Sequence, residues 1–167
     1  MTSFRSSNEM AEMARELFKD ASSRSGWSAT VANISTDSKE HWGFLIQKEN
    51  EASRLVDVRS RKRLNRSDIE PQDEWQWIEL HGVQPNDNGW LFNRKSEWIA
   101  FETATSFIIV DRKRLIRFVE ENVDMTSLVT APSEARYKVY SRNKRSDALT
   151  LVETKRLQMF AEVIWTK

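Results

Sequence analysis

Apolar side chains recur at three- and four-residue intervals near the start of the chain, from Met10 to Ala21. This spacing is typical of a helix with one buried stripe. Ser7 or Asn8 can cap the start of that helix, and Gly26 follows its end. We therefore predict a helix over residues 8–21, packed against whatever follows it.

Shorter apolar runs, several of them alternating with polar residues, predict strands in the next part of the chain. The predicted strands cover residues 27–34, 41–47, 54–60, 74–80, 98–102 and 106–110. A hairpin turn at 48–51, a loop at 61–73 and a tight connection at 83–90 separate them. A second helix is predicted over 111–121, followed by late strands at 137–140 and 148–152 and a helical turn at 154–160.

This order of elements indicates an α+β fold, α/β-like in its core, with one central mixed β-sheet flanked by helices. We expect a single domain over residues 1–167, with a core at about 8–120 and a small, basic β extension at about 130–167. The chain has no cysteine, which excludes disulfides and thiolate sites. It also has no apolar run near the roughly 18–20 residues of a membrane span, so we expect a cytoplasmic protein without membrane contact.

Basic residues are concentrated in a few segments, although the net charge is only +1. Local clusters of cations, more than total charge, decide whether a polyanion can dock. Each cluster taken alone also fits an ordinary solvated surface, whereas several clusters in one small domain favour nucleic acid. The residues that we expect to contact DNA are Arg61, Lys62, Arg63, Arg66, Arg142, Lys144 and Arg145.

Asp57 is the strongest candidate for chemistry because it interrupts an apolar strand, between Val56 and Val58. An unpaired charge in such a strand is expensive unless it has a function or a partner. Hydrolysis of a phosphodiester commonly uses a divalent ion, and Mg²⁺ takes oxygen ligands that include one or two carboxylates. Asp57 and Glu79 are therefore candidate ligands for Mg²⁺ or Mn²⁺. A solvent-facing or arginine-paired aspartate is the simpler alternative.

The succession of short motifs resembles small phage-type endonucleases of the PD-(D/E)XK superfamily over roughly residues 8–120. Its motifs are His41-Trp42, Val56-Asp57-Val58, Trp77-Ile78-Glu79, Gly89-Trp90-Leu91, Ile99-Ala100-Phe101-Glu102 and Phe107-Ile108-Ile109-Val110-Asp111-Arg112. The resemblance implies a catalytic site formed by Asp57 as main metal ligand, Arg59, Glu79, Glu16 and the position of Gly43. Glu79 and Glu16 are the supporting carboxylates in this arrangement.

Two positions depart from the pattern of that family. Gly43 stands where the first acidic residue is expected, and Arg59 stands where a lysine is expected. Arginine keeps the positive charge and can clamp a phosphate, but its charge is fixed and its shape differs from that of lysine. In a second frame Asp57 is the first acid, and Glu79 leads an element in which His81 replaces the lysine. The sequence leaves both frames open.

The resemblance implies a Mg²⁺-dependent endodeoxyribonuclease that hydrolyses double-stranded DNA, as a site-specific or homing enzyme. By the same analogy we expect a homodimer, because a duplex has two strands to cut, and a location in the host cytoplasm if the chain is encoded by a phage. Two alternatives stay open. One is a catalytically disarmed DNA-binding protein that keeps the nuclease fold, and the other is a phage protein that binds a host protein.

Overall fold

Two mixed β-sheets with accompanying helices make up the part of the chain that a computed structural model describes, residues 5–36, 40–81, 89–92, 94–142 and 146–167. The helices are α1 (Ser7–Arg24), α2 (Gly89–Phe92), α3 (Arg112–Asn122) and α4 (Thr154–Met159), and a 3-10 helix spans Pro132–Glu134. The strands are β1 (Ser28–Asn33), β2 (Trp42–Gln47), β3 (Arg54–Arg59), β4 (Trp75–His81), β5 (Trp98–Glu102), β6 (Ser106–Asp111), β7 (Asp124–Val129), β8 (Lys138–Ser141), β9 (Ala148–Glu153) and β10 (Val163–Thr166).

The described chain divides into two compact units. The first contains the described residues of Met1–Arg61, Lys95–Asp111 and Ala161–Lys167, and the second contains those of Lys62–Arg94 and Arg112–Phe160. The first unit holds a six-stranded sheet in the order β1-β2-β3-β5-β6-β10. Strands β1, β2 and β3 form an antiparallel meander, and β5 then joins β3 in parallel. The antiparallel strands β6 and β10 complete this sheet.

Helix α1 covers one face of the first sheet. Its start is a complete capping box, in which Ser6 and Glu9 satisfy each other's backbone N–H groups. Phe18 is fully buried at the centre of its inner face, and its ring lies 5.4–5.5 Å from those of Phe44, Phe107 and Trp165. The predicted helix is confirmed and ends at Arg24. Ala14, Phe18 and Ala21 of the predicted apolar stripe are buried, whereas Met13 is 40% exposed.

The second unit contains a four-stranded sheet in the order β4-β9-β8-β7. Strands β4 and β9 pair antiparallel over most of their length, and β7 pairs with β8 in parallel. A smaller core forms around Trp75, Val129, Ala135 and Leu151. The late strands predicted near residues 137–140 and 148–152 are confirmed as β8 and β9; they pair with each other, and β9 also pairs with β4.

The prediction of one central sheet was wrong, because the strands form two sheets and β4 belongs to the second. The α+β class with mixed sheets and helices is confirmed. Strand β7 was missed because most of its residues are exposed and its sequence has no regular alternation. Its strand conformation follows from pairing with β8, which is a tertiary contact. Most of the connection predicted at 83–90 lies outside the described residues.

None of the helices in the described part of the chain combines the length and the apolar character that crossing a bilayer requires.

Candidate functional site

Asp57 lies in β3 on the face of the first sheet that points away from α1. Its neighbours Val56 and Val58 belong to the core that α1 covers, and successive side chains of a strand point to opposite faces. The parallel register places Asp57 beside Ile99 of β5. Only 1% of Asp57 is exposed. The aspartate is therefore a buried acid, and the solvent-facing alternative does not hold.

The carboxylate of Asp57 is only partly satisfied. Its Oδ1 lies 3.3 Å from Nη2 of Arg59, which is two residues further along the strand and hence on the same face. Among the described residues, no group donates a hydrogen bond to its buried Oδ2. Leaving such an oxygen without a donor costs on the order of 1–3 kcal/mol or more. A cation or donor from outside the chain would stabilise this atom.

Gly43 lies in β2, next to Phe44, which pairs with Val56 of β3. A Cβ atom at this position would lie 2.2 Å from the backbone oxygen of Val56 and 3.0 Å from Cγ2 of Ile34. Ile34 is itself fully packed, with 1% of its surface exposed. Neighbouring atoms thus fill the space that an acidic side chain would need, and this crowding explains why the position holds glycine.

Glu79 lies in β4, so it belongs to the second sheet, whereas Asp57 belongs to the first. One of its carboxylate oxygens, Oε1, accepts a hydrogen bond of 3.2 Å from the backbone N–H of Trp90. Gly89 packs so closely over β4 that an added Cβ would lie 2.8 Å from the backbone oxygen of Glu79. Glu79 therefore holds the start of α2 against its own strand. The structure does not place the two predicted metal ligands on adjacent strands.

Glu16 is exposed on α1 and lines a groove of the first unit. Helix α1 lies on the face of the sheet that carries Val56 and Val58, and Asp57 enters the opposite face. The sheet therefore separates Glu16 from Asp57. The residues that the structure does bring together are Asp57 and Arg59, with Gly43 on the neighbouring strand.

The loop that follows β3 has a defined conformation. Lys62 pairs with Gln72 across its base, and the indole N–H of Trp77 donates to the backbone oxygen of Arg63. At its tip the carboxylate of Asp68 accepts from the backbone N–H of Asn65. We call residues 62–72 the basic loop. Its backbone hydrogen bonds fix the points from which its cations extend, so binding loses less backbone entropy than it would with an unstructured loop.

The individual cations of this region differ in their roles. The guanidinium of Arg63 donates to the backbone oxygen of Asp68, so it also supports the loop. Arg61 precedes the basic loop, and its backbone N–H donates to a carboxylate oxygen of Glu102. Lys62 and Arg66 are exposed, whereas Arg61 and Arg63 are half-buried.

Arg142, which the sequence places among the DNA contacts, forms an ion pair with Asp147. Asp147 is 1% exposed, so the arginine compensates a buried acid at the ends of the segment that joins β8 to β9. This role is structural in the first place. The other two expected DNA contacts in this segment, Lys144 and Arg145, lie outside the described residues.

Sequence reasoning missed Glu102, which lies at the end of β5 and is 5% exposed. Its Oε1 accepts 2.8 Å from Nζ of Lys167, and its Oε2 accepts 3.1 Å from the backbone N–H of Arg61. Glu102 therefore fixes the chain where it leaves β3. An acid closing an otherwise apolar strand was the available signal, but the partner Lys167 is 65 residues away.

Among the described residues, Asp57 is the predicted metal ligand that lies on the first sheet, and Glu79 lies on the second. In the described ranges no three His, Cys, Asp or Glu side chains group together as metal ligands would. Asp57 offers one carboxylate with one unengaged oxygen, and the guanidinium of Arg59 already lies against the other oxygen. A bound Mg²⁺ would have to complete its shell with water and substrate oxygens.

Comparisons with known proteins found no match for this chain among protein-family models, curated proteins or solved structures. The PD-(D/E)XK resemblance thus stays a prediction that rests on the motifs of the sequence.

Proposed function

We propose that the chain is a duplex-DNA-binding protein with a nuclease-like arrangement of helix and strands, and that its hydrolytic site is incomplete. The observation that carries the proposal is the basic loop, whose fixed backbone presents Lys62 and Arg66 directly after the strand of Asp57 and Arg59. Contacts between such cations and phosphates supply most of the affinity for DNA without reading its sequence.

The incomplete site is argued from the surroundings of Gly43 and Asp57. The crowding at Gly43 leaves no room for a second acid beside Asp57. Arg59, with its side chain 31% exposed, offers a guanidinium that can contact a phosphate oxygen while it pairs with Asp57. The site then contributes a contact to a DNA phosphate through Arg59. It lacks the second carboxylate that the expected pair of metal-binding acids requires.

A second candidate is the Mg²⁺- or Mn²⁺-dependent endodeoxyribonuclease that the resemblance implies. One specific observation favours it: Oδ2 of Asp57 is buried without a donor among the described residues. Divalent metal would satisfy that oxygen, because Mg²⁺ is often held by one or two carboxylates together with substrate phosphates. In this case Asp57 is the metal ligand and Arg59 contacts the scissile phosphate.

Binding is tested by fluorescence anisotropy with a labelled duplex over a series of salt concentrations. We expect the affinity to fall steeply with salt. Arg66→Ala should weaken binding and lower the salt slope by about one, because one phosphate contact is lost. Lys155→Ala removes the same charge from an exposed position of α4 and serves as the matched control, with little change expected.

Cleavage is tested with plasmid DNA in Mg²⁺ or Mn²⁺, with the unsubstituted protein beside Asp57→Ala. Salt-sensitive binding without cleavage supports the first proposal. If the unsubstituted protein cleaves DNA and Asp57→Ala abolishes the cleavage, the first proposal is wrong and the endonuclease is supported. If the protein binds no duplex at low salt and cleaves none, both are wrong, and an interaction with a host protein becomes the function to test.

A further inference from the structure

A large groove runs along α1 on the face of the first sheet that this helix only partly covers. Its volume is about 800 Å³. Phe44, Val31 and Trp42 form its floor, and Met13 and Leu17 form the wall on the helix. Val31 is 62% exposed, Trp42 45% and Met13 40%. Three large apolar side chains so exposed around one groove indicate a surface that a partner covers.

Strand β1 borders this groove and forms one edge of the first sheet. Most of its residues are exposed, and its sequence Ser-Ala-Thr-Val-Ala-Asn contains no charged residue and no proline. Soluble proteins usually protect an open edge with such residues, because an unprotected edge pairs with other chains. The absence of this protection at β1 agrees with an edge that is covered in the functional assembly.

Four charged residues of α1 also line the groove: Glu12, Arg15, Glu16 and Lys19. In the part of the chain that the structure describes, none of their side chains forms an ion pair or a hydrogen bond. The set holds two acids and two bases. A partner that satisfies all four must therefore present both signs of charge in a matching order.

We propose that the partner is a second copy of this chain, with the two α1 helices antiparallel across a two-fold axis near residues 15 and 16. In an interface of this symmetry each contact occurs twice, and the surface must complement itself. An antiparallel arrangement sets Glu12 opposite Lys19 of the partner and Arg15 opposite Glu16 of the partner. All four charges then find partners, and Val31 and Trp42 are covered at the same time.

The proposal is tested by sedimentation equilibrium with charge-reversed variants. Glu12→Lys with Glu16→Lys makes all four positions basic, and Arg15→Glu with Lys19→Glu makes all four acidic. Each double variant alone should dimerise at least about tenfold more weakly than the unsubstituted chain, because like charges then face each other. An equimolar mixture of the two should form heterodimers, and the variant with all four reversals should recover the homodimer.

Two further variants separate the groove from general charge effects. Glu120→Lys with Glu121→Lys changes the net charge equally on the exposed side of α3 and should leave dimerisation unchanged. Trp42→Ala should weaken the dimer, while circular dichroism reports whether each variant is folded. The proposal is overturned if the unsubstituted chain is monomeric at all accessible concentrations. It is equally overturned if the charge-reversed doubles dimerise as well as the unsubstituted chain, or if their mixture forms no heterodimer.

Discussion

Replacing Gly43 by alanine tests directly whether the structure excludes a side chain beside Asp57. The new Cβ would lie 2.2 Å from the backbone oxygen of Val56. That separation is about 1 Å shorter than an ordinary carbon–oxygen contact of roughly 3.3 Å. A shift of the Ile34 side chain, whose Cγ2 would lie 3.0 Å from the new Cβ, cannot relieve the crowding. The shorter contact is with a backbone atom of β3, which cannot move without its strand. Strands β2 and β3 must therefore separate locally.

The expected magnitude is the difference between two effects. Overpacking costs about 1–3 kcal/mol and sometimes more, whereas alanine in a strand is otherwise favoured over glycine by roughly 0.5–1 kcal/mol. Because the overlap is with backbone, overpacking is expected at the upper end of its range. We therefore expect Gly43→Ala to lower the free energy of unfolding by about 2 kcal/mol, which corresponds to a fall in Tm of roughly 4–8 °C.

Urea unfolding followed by tryptophan fluorescence measures this change, with Tm from a thermal scan as a second reading. Gly26→Ala is the control: its backbone has a φ of +85°, and a Cβ there would meet only the side chain of Lys48, at 3.4 Å. Gly26→Ala should lose roughly 1–2 kcal/mol through its positive φ alone, whereas Gly43 has no positive φ and its cost comes from overlap with the backbone of β3. A Gly43→Ala protein as stable as the unsubstituted chain would refute the crowding, and Gly43→Asp would then be free to supply the missing acid.

Three other substitutions test the packing and electrostatics of the chain. Phe18→Ala should lower the free energy of unfolding by about 3–5 kcal/mol in urea titrations, because Phe18 is fully buried among three aromatic rings; a change below 1 kcal/mol would contradict that core. Arg142→Met should cost about 1–3 kcal/mol, since it leaves Asp147 buried without its ion pair; a loss of DNA affinity with stability intact would instead favour a binding role. The side-chain and backbone hydrogen bonds from Thr126 hold the pKa of Asp124 below its usual value. A group with a lowered pKa stabilises the fold at pH values above its unfolded pKa, and this stabilisation is lost as the pH falls through the folded pKa. Thr126→Val removes the side-chain hydrogen bond and should therefore raise the pKa of Asp124 in an NMR titration. An unchanged pKa would contradict the assignment.

Local sequence patterns were sufficient for most elements of the fold. The stripe from Met10 to Ala21 specifies α1, because helix formation depends on residues three and four apart. The predicted turn after β2 is also confirmed: Glu51 N–H donates to the oxygen of Lys48, and Asn50 adopts a positive φ. Periodicity and turn chemistry act over a few residues, so a single chain displays them without knowledge of its partners.

The candidate site was predictable only in part. An aspartate between two valines predicted a special environment for Asp57, and the structure confirms that the residue is buried. The sequence did not reveal that Glu79 belongs to another sheet or that Glu102 pairs with Lys167. Strand order depends on pairing between segments far apart in the chain, and such pairing has no local signal.

The sequence by itself determined the α+β class, α1, the strands β1, β2 and β3 with the hairpin turn between β2 and β3, and the position of Asp57 within a strand. Tertiary structure alone decided which carboxylates share a sheet, why residue 43 is glycine, and that Arg142 compensates a buried acid. The physical reason is that secondary structure depends on residues close together in the sequence, whereas side-chain contacts join residues that are far apart in it. A strand's pattern says which of its residues point inward, but only the packed neighbours decide what each side chain meets. Gly43 shows this most clearly, because the atoms that exclude a side chain there belong to Val56 and Ile34.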